Sequence, residues 1–62
     1  NPGLAEAHNN LGMALNDLHQ LEKAEVSYRR ALEINPAFAE AHNNLGITLN
    51  DLGRQKEALR KS

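Results

Sequence analysis

The chain has no cysteine and no tryptophan, and its only aromatic residues are Tyr28 and Phe38. Without cysteine there is no disulfide framework and no thiolate metal site. No apolar run approaches the ~20 residues that span a bilayer, and no signal-peptide pattern is present. There is no basic excess either. The net charge of −1 argues against a generic nucleic-acid binder. With 62 residues only one small domain is possible. A chain this short buries roughly 60% of its unfolded surface, so a lone core is marginal. Leu and Ala carry the apolar content, which suits helices packed closely. The chain opens on Asn1-Pro2 and is expected to be a piece of something longer.

What is present is a repeat. The string AEAHNNLG occurs at 5–12 and again, unchanged, at 39–46. When 1–28 is set against 35–62, 15 of 28 positions are identical, where chance gives about one or two. Identity is dense in the first half of the unit and thin in the second.

Each unit reads as two helices, so the expected class is all-α. Ala7, Leu11, Ala14, Leu15 and Leu18 follow the i, i+3, i+4, i+7 spacing of one buried face. Leu21, Ala24, Tyr28, Ala31 and Leu32 do the same. Pro36 disfavours helix at Asn35 and stops the second helix near Ile34. Ala41, Leu45, Leu49 and Leu52 repeat the first pattern. Gly53 then offers a left-handed residue that ends a helix at low cost. The spacing therefore predicts helices over 4–18, 21–34, 38–52 and 54–61, grouped as a first unit 4–36 and a truncated second unit 37–62. Connections this short force antiparallel neighbours.

A 34-residue helix–turn–helix unit resembles the tetratricopeptide repeat. His8, Leu11, Gly12 and Leu15 stand where that family has its Trp, Leu, Gly and Tyr. Ala24, Tyr28, Ala31 and Pro36 stand at its Ala, aromatic, Ala and Pro. The second copy matches through His42, Leu45, Gly46, Leu49, Gly53 and Ala58. Departures are His8 and His42 for Trp, Leu15 and Leu49 for Tyr, His19 for the turn Gly, and Ser62 at the closing aromatic. The resemblance covers the whole chain. It implies a slice of a right-handed α-solenoid that binds proteins and needs no cofactor.

The repeated string sorts by helical angle. Gly12 and Gly46 lie inside helices, where Gly costs about 1 kcal/mol relative to Ala, so close approach of a paired helix is the expected compensation. His8 and His42 lie at the edge of the apolar stripe. They have no converging His, Cys or carboxylate, so they read as packing residues and no metal site is expected. Asn10 and Asn44 recur at one angle, and a carboxamide offers both donors and an acceptor. This resembles the asparagine ladder in the superhelix of the O-linked N-acetylglucosamine transferases. Amides at that angle either contact a ligand or tie neighbouring helices together.

Charge is segregated. Residues 3–18 and 37–52 contain Glu6, Asp17, Glu40 and Asp51 but no Lys or Arg. The basic residues Lys23, Arg29, Arg30, Arg54, Lys56, Arg60 and Lys61 all fall on the second helices or their turns. In the family, the first helices line a concave groove. That groove is implied to present Glu6, Asn9, Asn10, Met13, Asn16 and Asp17 from one unit. From the other come Glu40, Asn43, Asn44, Ile47, Asn50 and Asp51. Such a surface suits an extended neutral or basic peptide rather than an acidic tail. No nucleophile–base pair, phosphate loop or catalytic carboxylate pair can be assembled, and Ser27 has no evident His partner, so no enzyme activity is expected.

Solenoid units bury their apolar faces on their neighbours. Uncapped ends therefore predict a homodimer or end-to-end stacking. A swap by fusion of the first two helices through His19 is the less favoured route. A peptide-binding scaffold is the leading reading. The others are a targeting arm of a glycosyltransferase and a structural or engineered repeat that self-associates.

Overall fold

The computed structural model describes the backbone of residues 2–61 and the side chains of residues 3–59. The chain is all-α, with α1 at Pro2–Asp17, α2 at Leu21–Ile34 and α3 at Ala39–Lys61. Among the described residues there is no strand. The α1 and α2 helices form an antiparallel hairpin, and α3 returns across α2.

The α1–α2 turn is a Schellman closure. The Gln20 N–H donates to the Leu15 carbonyl at 2.8 Å and the His19 N–H to Asn16 at 2.9 Å. His19 takes the left-handed position, with φ 61°. That geometry costs a non-glycine residue about 1 kcal/mol. The hairpin nevertheless closes, and α1 and α2 do not fuse into one rod. Docking of α1 on α2 offsets the local strain.

Pro36 acts as expected at the second turn. The Asn35 N–H donates to Ala31 at 2.9 Å, and the Asn35 side chain accepts from the Ala37 N–H at 3.3 Å. The His42 ring Nε2 lies 2.8 Å from the Pro36 carbonyl. An oxygen acceptor there requires the proton on Nε2. His42 is exposed rather than packed at a stripe edge, and its work is to tie α3 to the turn.

The expected break at Gly53 does not occur. The predicted helices 38–52 and 54–61 are one continuous helix, and no glycine of the described backbone has positive φ. The cause is local. Arg54 to Lys61 are mostly strong helix formers with only Ala58 and Leu59 to bury. Folding back would bury little, whereas continuing costs only the glycine's propensity. The 23 residues of α3 run about 35 Å, which stretches the chain to 45 × 20 × 13 Å. Ser62, at the closing-aromatic place, lies outside the described residues.

The core is Ala24, Tyr28 and Leu45, with Leu15 and Leu32 packed against it. Gly12 explains its own presence. A Cβ there would stand 2.5 Å from Tyr28 Cε1 and 2.7 Å from Cδ1, well inside van der Waals contact. Gly46, its twin, has nothing within 4 Å, so the close approach expected at both glycines exists at only one.

The buried side of α1 also differs from expectation. Ala5, Asn9 and Gly12 are buried, while Ala7, Leu11, Ala14 and Leu18 are exposed. The apolar stripe is real, but α2 approaches α1 from the Gly12 flank through the Tyr28 ring. On α3 the equivalent stripe, Ala41, Leu45, Thr48 and Leu52, is buried.

Candidate functional site

Where α1 passes α3, side-chain amides bridge the two helices. Asn9 is 2% exposed. Its Nδ2 donates to Glu40 Oε1 at 3.1 Å, and its Oδ1 accepts from Asn44 Nδ2 at 3.2 Å. One turn further along, Thr48 Oγ1 donates to Asn16 Oδ1 at 3.2 Å. No buried side-chain donor or acceptor among the described residues lacks a partner. These bonds set the register of α3 on α1 and are each worth about 0.5–1.5 kcal/mol.

This corrects one groove residue. Asn9 was expected to line the open groove, but it is buried and committed to Glu40 and Asn44. The reason is that α3 passes this face of α1, where Glu40 and Asn44 meet the Asn9 amide. Asn16 and Asn44 are half-buried in the same bonds. Asn44 thus ties helices together, one of the two roles open to it. Its twin Asn10 is exposed, as are Glu6, Met13, Asp17, Asn43, Ile47 and Asn50, while Asp51 is half-buried.

Two contributors were not singled out from the sequence. Thr48 stands where the first unit has Ala14. That departure from an otherwise repeated stretch was the available signal. Tyr28 was read only as core, yet it also lines a recess with Met13, Asn16, Asp17, Asn44 and Ile47. The recess holds about 150 Å³, below the roughly 300 Å³ at which small-molecule pockets begin. It has room for one side chain of a larger partner.

Burial pushes the Tyr28 phenol above its ordinary value of 10.0, with the carboxylates of Asp17 and Glu40 adding to the shift. The phenol therefore stays neutral beside an acidic rim. No Lys or Arg lies on α1 or on α3 before Arg54. Arg54 and Lys56 sit on the continuous far half of α3 rather than on a separate helix. On α2, Arg29 pairs with Glu25 at 2.9 Å, an exposed contact that carries little stability. His8 is half-buried, and no three His, Cys, Asp or Glu residues among those described are placed to hold a metal. No described helix is long and apolar enough to cross a membrane.

A two-helix hairpin and a third helix repeating the first define a helical-repeat unit. Family models agree: two models described as tetratricopeptide repeat match residues 5–38 and 27–60. The chain belongs to the tetratricopeptide repeat family. Repeats of this family generally mediate protein–protein interaction and are typically non-catalytic. No curated protein and no solved structure matches the chain.

Proposed function

We propose that the chain is a protein-interaction unit whose α1/α3 face binds an extended neutral or basic peptide. One observation carries this reading: an apolar pair, Met13 and Ile47, flanks the recess inside a rim that holds carboxylates and amides but no cation. Glu6, Asp17, Glu40 and Asp51 supply negative charge. The exposed amides of Asn10, Asn43 and Asn50 can pair with a peptide backbone, each offering donor and acceptor. A lysine- or arginine-bearing strand gains charge complementarity here, and an acidic tail meets repulsion.

The test is fluorescence anisotropy with labelled extended peptides of matched length and opposite charge. Binding of the basic peptide should weaken with salt. It should fall at least about tenfold in Asp17→Lys/Asp51→Lys, a loss on the order of 1.4 kcal/mol. Preference for the acidic peptide would refute the reading. A substrate-targeting arm of a glycosyltransferase would use the same face. Exposed Asn10, a ladder place not spent on another helix, favours it. An Asn10→Ala loss of binding that is independent of peptide side chains supports that version.

A further inference from the structure

The phenol of Tyr28 is spent on no other group. Tyr28 is 2% exposed, and its hydroxyl has no hydrogen-bond partner among the described residues. Every buried side-chain donor or acceptor among those residues is paired. The phenol oxygen is therefore the point at which Tyr28 reaches the surface, and the opening that Tyr28 lines is the recess between α1 and α3.

Two further acceptors meet it there, each from a different helix. Asp17 on α1 lines the recess and forms no ion pair among the described residues. Asn44 on α3 gives its Nδ2 to Asn9, which leaves its Oδ1 as the free end of the amide. Burial, and then the carboxylates of Asp17 and Glu40, keep the phenol protonated. Met13 and Ile47 supply apolar walls. The space of about 150 Å³ takes one side chain.

An ammonium on a four-carbon stem matches this arrangement. Its methylenes lie along apolar walls while its head reaches polar groups. It carries three rotatable donors and no acceptor. A guanidinium is a planar fork that pairs best with two acceptors side by side, whereas these acceptors converge from three helices. An uncharged apolar side chain leaves them unpaired, and a carboxylate meets Asp17.

We propose that the recess is a lysine subsite: a peptide on the α1/α3 face places one lysine there, its stem between Met13 and Ile47 and its ammonium on Asp17, the Tyr28 hydroxyl and Asn44 Oδ1. This rests on the peptide-binding reading above and adds which side chain is selected.

End-capped peptides sharing one alanine–serine backbone test it, with lysine, arginine, norleucine or glutamate at the central position. Fluorescence anisotropy against the 62-residue chain reads the selection. Lysine and arginine carry equal charge, so the field of the rim cancels from their comparison. Lysine should bind at least about threefold tighter than arginine, and about tenfold tighter than norleucine, which keeps the stem without the ammonium. Tyr28→Phe deletes only the unpaired hydroxyl and keeps the packed ring, with circular dichroism confirming the fold. It should bring lysine within about twofold of arginine and leave arginine binding unchanged. Asp17→Asn, at an exposed position, should weaken lysine binding at least about fivefold. Equal binding of lysine and arginine, unmoved by Tyr28→Phe, overturns the subsite and leaves the charge reading of the face standing. Binding of none of the four peptides also overturns it, and the multiply charged peptides above then decide the charge reading alone.

Discussion

The twin glycines should respond oppositely to one methyl group. Gly46→Ala adds a Cβ to open space and replaces glycine in a helix, which should stabilise the chain by about 1 kcal/mol. Gly12→Ala gains the same propensity but sets a Cβ 2.5 Å from the Tyr28 ring. That ring is 2% exposed and held by Ala24 and Leu45, so it cannot swing aside without opening the core. Overpacking of this kind costs about 1–3 kcal/mol, and the lost Leu45 contact adds to it. A net destabilisation of about 1–2 kcal/mol follows. For a domain of this size 1 kcal/mol moves Tm by about 4–8 °C. Thermal melts followed at 222 nm in dilute solution should therefore place Gly46→Ala above the parent and Gly12→Ala below it. Equal shifts of the same sign would refute the packing argument.

Three further outcomes are expected. Asn9→Ala removes two interhelical hydrogen bonds and leaves a void, so urea denaturation should show a loss of about 1–2 kcal/mol. His19→Gly relieves the left-handed strain and should raise stability by up to about 1 kcal/mol, less whatever the His19–Gln55 contact at 3.0 Å contributes. The folded chain holds the Tyr28 phenol above its ordinary value of 10.0. The neutral form is thus favoured in the folded state, and this contribution is whole below pH 10 and lost as pH rises from there through the folded value. Chemical denaturation across that window should show the decline, and Tyr28→Phe should flatten it.

Much of the fold is legible in the residues. Pro36 ends α2 at Ile34 as the sequence suggests, and the apolar spacing of α2 matches its buried face. Two features are not legible, for separate reasons. Gly53 offers a break, but whether a helix uses it depends on what lies beyond. Gln55, Lys56 and Glu57 give no apolar return for turning back. The stripe on α1 is also correctly recognised as apolar, yet periodicity does not say which neighbour is present to cover it. The candidate site shows the same limit. Asn10 and Asn44 are identical in sequence context, but only Asn44 has an Asn9 within reach. An amide's role is decided by the helix beside it, and that helix is specified more than thirty residues away.

Tyr28 has one more consequence. It is the sole tyrosine of a chain without tryptophan, and its ring lies between Gly12 and Leu45 beside the carboxylates of Asp17 and Glu40. Tyrosine emission and the tyrosine band of the near-ultraviolet signal thus come from a single place, the junction of all three helices. The chain carries a native optical reporter of docking, distinct from the backbone signal of helix content. Loss of that signal while helicity persists would mark a state with formed helices and an open junction.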